Sequence, residues 1–106
     1  MFGLFRSTPS ISAEDLKTMV DEGAVIVDVR TPQEFAEGAL RGAVNIPVQV
    51  IAGQIDEIKK LNKNNKPVIL YCRSGGRAGT AESMLKGAGV EAINIGGYGS
   101  WASILG

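Results

Sequence analysis

The chain has 106 residues, of which 44% are hydrophobic and 21% charged, with one cysteine and no histidine. This length and composition fit one globular domain, and 11 basic against 11 acidic residues leave no global positive charge for binding nucleic acid or an anionic membrane. The cysteine and histidine counts exclude an internal disulfide, zinc sites built from several cysteines or from cysteines and histidines, and catalysis by a Ser-His-Asp triad or a Cys-His pair.

Residues 1–10 are expected to form a loosely held N-terminal tail ahead of a single domain at residues 11–106. The opening stretch, MFGLFRSTPS, is too short and too interrupted for a secretory signal. No run in the sequence approaches the roughly 20 apolar residues of a membrane span. Because the lone cysteine requires no oxidising compartment, we expect a cytoplasmic protein without a membrane span.

The first part of the domain carries clear helix-start signals. A helix is predicted after Ser12 as N-cap, ending near Gly23, and the apolar run at 24–29 predicts a buried strand. Thr31 and Glu34 have the spacing of a capping box, which predicts the start of a second helix.

Strands and helices continue to alternate in the rest of the chain. The predicted elements are a strand at 42–47, a helix at 48–61 with Ile51, Ile55, Ile58 and Leu61 on one face, a strand at 67–72, a helix ending at Gly89, a strand at 91–95 and a terminal helical piece within 96–106. This alternation predicts an α/β fold with a parallel central sheet covered by helices on both faces.

The single cysteine, Cys72, falls at the carboxyl end of the clearest predicted strand. Ligands of open α/β sheets bind at that edge. The following turn, Arg73 to Arg77, can aim several backbone N–H groups inward, and the next helix adds its positive end. Gly75 and Gly76 allow a tight turn because neither has a Cβ. Such a site favours an anion and would lower the pKa of the thiol, so the sequence predicts a reactive cysteine.

Structural interpretations compete with this one. A lone cysteine at the end of a buried strand is most often an apolar filler, and arginines in a turn are most often solvated. Asp28, Arg30 and Glu34 have the residue types of a catalytic carboxylate group, but a capping and ion-pair cluster is the favoured interpretation. The glycine-rich turn followed by a helix start favours the functional interpretation for the cysteine.

Three stretches resemble the rhodanese-like sulfurtransferases. IVDVRTPQEFAEGALRGAVNIP resembles the opening signature of that family, VILYCRSGGRA its Cys-x-x-Gly-x-Arg loop, and NIGGYGSW its closing segment. The resemblance runs from about Ile11 to Trp101, in the family's order and spacing. One departure is Ala39, where the family often has a histidine that is not its nucleophile. The N-terminal tail is not explained by the match.

The resemblance implies a rhodanese-like fold and sulfane-sulfur transfer. Cys72 is expected to take the outer sulfur of a small anion such as thiosulfate as a persulfide, and to pass it to cyanide, a thiol or a partner protein. No metal or organic cofactor is implied. The residues expected to bind the donor and the persulfide are Arg73, Ser74, Gly75, Gly76 and Arg77.

Two other functional classes remain open from the sequence. One is a non-catalytic persulfide carrier or interaction module that delivers sulfur only to a docked partner. The other is a cysteine phosphatase or arsenate reductase on the same fold. Phosphatase loops resemble this one but hold five residues between cysteine and arginine, usually after a histidine. Here four residues separate Cys72 from Arg77, and Tyr71 precedes the cysteine, which favours sulfur transfer.

Overall fold

A computed structural model describes residues 11–63 and 65–106, so the expected tail at residues 1–10 lies outside the described residues. In this part of the chain the strands are β1 (Ile26–Asp28), β2 (Val44–Asn45), β3 (Val68–Cys72) and β4 (Ala92–Gly97). The helices are α1 (Ala13–Asp21), α2 (Pro32–Ala36), α3 (Ile55–Leu61), α4 (Gly76–Gly87) and α5 (Tyr98–Leu105), with a 3-10 helix at Val48–Gln54. None of these helices is long and apolar enough to cross a membrane.

The strands form one parallel sheet in the order β2-β1-β3-β4, which confirms the predicted α/β fold. Side chains of β3 alternate between two cores. Val68, Leu70 and Cys72 pack with the 3-10 helix, α3 and α4, whereas Ile69 and Tyr71 pack with α1 and α5. Helices therefore cover both faces, and the thiol of Cys72 lies on the face that α4 covers.

Residue types a few positions apart in the sequence correctly predict several of the helix ends. The Ser12 hydroxyl accepts a hydrogen bond from the backbone N–H of Asp15 at 3.0 Å, and so caps α1. The predicted capping box of α2 is also confirmed. The backbone N–H of Glu34 donates to Thr31 Oγ1 at 3.1 Å, and the backbone N–H of Thr31 donates to Glu34 Oε1 at 2.9 Å. Gly89, with φ of 83°, follows the end of α4 as predicted.

The region from 42 to 61 differs from prediction. The strand is only two residues long, and the predicted single helix is a 3-10 helix followed by α3. The backbone N–H of Val48 donates to the carbonyl of Val29 at 3.0 Å, so the start of the 3-10 helix is tied to the end of β1. Leu61, the last residue of α3, is 39% exposed instead of completing the predicted apolar stripe.

Candidate active site

Cys72 is the last residue of β3, and its buried side chain lies beneath the turn that leads into α4. The turn reverses through Gly75, which has φ of 102° in the left-handed region that favours glycine. This conformation directs the backbone N–H of Gly75 onto Cys72 Sγ, at an N–S distance of 2.9 Å. The tight turn and the sulfur are thus held together by a direct hydrogen bond.

Two opposing influences act on the thiol. Burial has the largest single effect, and it raises the pKa of Cys72. Hydrogen-bonding backbone N–H groups of Ala78, Ser74, Gly75 and Arg77 oppose it, and together they hold the pKa below its ordinary value. The arrangement favours a thiolate, and it would favour any other anionic sulfur in the same place.

The two arginines of the turn lie differently. Arg73 is exposed over 75% of its side chain, and its Nε lies 3.4 Å from Glu34 Oε2. Arg77 is 35% exposed and donates through both terminal nitrogens to the Glu34 carboxylate, at 2.7 Å and 3.1 Å. Arg77, aided by the backbone of Thr31, lowers the pKa of Glu34 to about 2. The carboxylate is therefore ionised at neutral pH.

The expected cluster of Asp28, Arg30 and Glu34 divides into two sites. Asp28 and Arg30 form a buried pair, with Arg30 Nη2 2.7 Å from Asp28 Oδ2 and 2.6 Å from the carbonyl of Gly38. The Arg30 guanidinium also lies over the rings of Tyr71 and Tyr98. The side-chain hydrogen bonds of Glu34, in contrast, go to Thr31 and to Arg77 in the cysteine turn.

Strand β4 supplies a support for the turn that sequence reasoning missed. Asn94 is buried, and its Nδ2 donates to the carbonyl of Gly75 at 2.9 Å while its Oδ1 accepts from the N–H of Gly96 at 2.8 Å. Gly97 lies against the turn so closely that a Cβ there would overlap the carbonyl oxygen of Arg73. The asparagine within the mostly apolar stretch EAINI is the feature of the sequence that indicates this support, because a buried amide in a strand needs hydrogen-bond partners.

A cleft of about 380 Å³ opens beside the turn. Its lining residues are Arg30, Glu34, Glu37, Gly38, Arg73, Tyr98 and Gly99. A larger cavity of about 560 Å³ lies at the opposite end of the sheet, around Pro67 and Val90, and Cys72 does not line it. Of these two, the smaller cleft is the better candidate for a substrate entrance, since Arg73 of the cysteine turn lines it.

The fold and the cysteine turn together define a class of protein, and comparison with known protein families identifies that class. The family model described as "Rhodanese-like domain" matches residues 12–104. The chain therefore belongs to the rhodanese-like family, whose members include sulfurtransferases.

Relatives of known name agree with this assignment. The chain is 32% identical over 95 residues to thiosulfate sulfurtransferase GlpE of Pseudomonas entomophila, covering 88% of this chain and 84% of that one. It is 40% identical over 95 residues to a Schizosaccharomyces pombe protein whose name describes it as mitochondrial, covering 76% of this chain and 63% of the relative, which is thus considerably longer. The solved structure of a rhodanese-like domain protein from Staphylococcus aureus is 34% identical with a TM-score of 0.65, over 89% of this chain and 91% of that one.

Proposed function

We propose that this protein is a sulfurtransferase that moves sulfane sulfur from thiosulfate, or a similar small anion, through a persulfide on Cys72. The acceptor is cyanide, a thiol or a partner protein. The observation that carries the proposal is the set of backbone N–H groups directed at Cys72, whose pKa is lowered despite burial. The name of the Pseudomonas relative supports thiosulfate as the donor. The proposal places this reaction in the cytoplasm.

The reaction needs two displacement steps at sulfur. In the first, the Cys72 thiolate attacks the outer sulfur of thiosulfate, a new S–S bond forms, and the old S–S bond breaks with its electron pair leaving on sulfite. In the second, cyanide or a thiolate attacks the outer sulfur of the persulfide. The bond between the two persulfide sulfurs breaks, thiocyanate or a new persulfide departs, and the Cys72 thiolate is regenerated. Neither step requires an oxidant, a reductant or a cofactor.

The turn residues take distinct parts in this scheme. Ser74, Gly75 and Gly76 form the turn whose backbone cradles the sulfur, and Arg77 fixes it to Glu34. Arg73 is the exposed positive charge at the cleft and attracts the anionic donor. Asp28 and Arg30 support the site from beneath as a structural pair.

Intact-mass spectrometry of the protein after incubation with thiosulfate tests the proposal. The wild type should gain one sulfur atom that cyanide removes, and Cys72→Ser should gain none. A cyanide-removable sulfur on the serine variant, or no sulfur on the wild type, would overturn it. Stable loading with negligible turnover would instead assign the persulfide-carrier function. Cys72-dependent cleavage of aryl phosphates without sulfur uptake would assign the phosphatase function.

A further inference from the structure

The carbonyl of Gly75, in the middle of the cysteine turn, is held from two directions. It accepts the backbone N–H of Gly79 at 2.9 Å, which begins α4, and it accepts Asn94 Nδ2 of β4 at the same distance. Both acceptor positions of this oxygen are therefore used. Gly75 depends on such restraint, because at φ of 102° it has the conformational freedom of glycine and no side chain of its own to pack.

Asn94 lies where β4 departs from regular pairing with β3. Leu70 pairs with Asn94 but Cys72 pairs with Gly97, so β4 contains one more residue than β3 over this stretch. The extra residue makes a β-bulge, a feature that redirects side chains and is common beside active sites. Asn94 Oδ1 stabilises the bulge by accepting the N–H of Gly96 at 2.8 Å, which leaves Nδ2 for the turn.

The amide of Asn94 is buried, since the residue is only 6% exposed. Among the described residues, its Nδ2 donates to the carbonyl of Gly75 alone. A buried amide nitrogen that loses its partner costs free energy, so a movement of the Gly75 carbonyl away from β4 is opposed. The side chain of one strand thus restrains the turn that follows another.

We propose that Asn94 is a positioning residue for the Cys72 sulfur, which holds the carbonyl of Gly75 toward β4 and so keeps the N–H of Gly75 directed at the sulfur. These two groups lie on either side of a single Cα, so loosening the carbonyl lets the N–H move away from Sγ, which lies 2.9 Å from the nitrogen. This inference rests on the proposed function, since a persulfide on Cys72 would use the same N–H groups.

The link between Asn94 and the turn involves no charge. Among the described residues, the two side-chain hydrogen bonds of Asn94 go to the backbone of Gly75 and Gly96. An uncharged replacement therefore changes the support of the turn while leaving the charges around Cys72 in place. The charged side chains in and beside the turn are Arg73 and Arg77, Arg30 and Glu34 on the side of the cleft, and Glu82 of α4.

Threonine at this position separates the two tasks of Asn94. Its hydroxyl can accept the N–H of Gly96, because Ser and Thr form the same kind of turn with a backbone group two residues on, and a β-branched side chain suits a strand. It has no amide nitrogen to reach Gly75. Asn45→Thr is the matched control, because Asn45 of β2 donates through Nδ2 to two backbone carbonyls, at 3.0 Å each, and neither belongs to the cysteine turn.

The test is the pH profile of Cys72 alkylation by iodoacetamide, whose midpoint reports the pKa of the thiol because the thiolate is the nucleophile. The wild-type midpoint should lie below the free-thiol value of about 8.5. Asn94→Thr should raise it by roughly one pH unit, which is about a tenfold loss of thiolate at neutral pH. Asn45→Thr should leave the midpoint where the wild type has it.

A rise in Asn94→Thr that does not exceed the rise in Asn45→Thr would overturn the inference, because any effect would then come from a general loosening of the fold. Circular dichroism checks that both variants are folded. If Asn94→Thr is not, Asn94→Ser takes its place, and failure of both to fold would make Asn94 a residue of the fold rather than of the turn. Alkylation uses no sulfur donor, so its outcome is distinct from that of the sulfur-loading test.

Discussion

Two hydrogen-bonded carboxylate–arginine pairs lie near the carboxyl end of the sheet, and they differ in sequence separation, burial and the elements they join. Asp28 and Arg30 are two residues apart, buried, and enclosed by tyrosine rings and a backbone carbonyl. Glu34 and Arg77 are 43 residues apart and partly exposed at the cysteine turn. The first pair closes the end of one strand, whereas the second joins the start of α2 to the start of α4.

The contrast separates a pair that supports the fold from a pair that supports the cysteine turn. The buried pair connects the end of β1 to the carbonyl of Gly38 and to the rings of Tyr71 and Tyr98, which belong to the framework around the sheet. The Glu34–Arg77 pair instead connects α2 to α4, and α4 supplies N–H groups that lower the pKa of Cys72. We therefore expect the first pair to govern folding and the second to govern the chemistry of the turn.

The largest effect is expected from breaking the buried pair. Asp28→Ala leaves the Arg30 charge buried without its carboxylate, which should cost about 3–5 kcal/mol of unfolding free energy. Denaturant unfolding at neutral pH measures it. The double variant Asp28→Ala, Arg30→Met should recover much of the loss, because it removes both charges. A loss below about 1 kcal/mol for Asp28→Ala would show that this pair is not a folding element.

A smaller effect, seen in catalysis, is expected from the arginines of the turn. Arg77→Ala should lower kcat/KM for thiosulfate roughly ten- to a hundredfold, because the turn loses its link to α2 and its amides lose their position. Arg73→Ala should lower it only about threefold, since an exposed charge is well screened. Steady-state kinetics compares the two. Arg77→Lys, which keeps the charge without the fork, should resemble Arg77→Ala.

If Arg73→Ala lowers kcat/KM more than Arg77→Ala does, the attraction of the donor by Arg73 contributes more to turnover than the link between α2 and α4. A difference in thermal stability between Arg73→Ala and Arg77→Ala does not bear on this prediction, because only the kinetic comparison addresses the turn.

The smallest effect is a pH dependence of stability from Glu34. Its pKa falls from 4.5 to about 2 on folding, chiefly through Arg77, so its ionised form stabilises the protein above pH 4.5. That contribution is lost as the pH falls through about 2. The stability difference between the wild type and Glu34→Gln should therefore be constant above pH 5 and shrink between pH 4.5 and 2. Urea unfolding over this range measures it, and a difference that stays constant down to pH 2 would contradict the assignment.

Features encoded within a few residues were predictable from the sequence. The caps at Ser12 and Thr31 rely on groups three residues away, so spacing alone identifies them. Cys72 could be placed at a strand end because the apolar run before it and the glycines after it are both local. The alternation of elements then implied a parallel sheet.

Contacts between distant segments were not predictable in the same way. Nearness in sequence groups Glu34 with Asp28 and Arg30, but the Glu34 carboxylate accepts hydrogen bonds from Arg77. Asn94 reaches Gly75 across 19 residues, and no periodicity in either segment indicates that contact. Such pairings depend on how strands and helices are set side by side, which a single sequence does not specify.

The close approach of Gly97 to the carbonyl of Arg73 has a consequence for reading mutational data. Any side chain at this position would push β4 away from the turn, so every substitution should be poorly tolerated in a saturation scan. Gly97 would then score like a catalytic residue, although it has no functional group and takes no part in the reaction. Intolerance at a glycine beside an active-site loop therefore reports space that must stay empty, since the group in contact is a backbone carbonyl that no substitution can shorten.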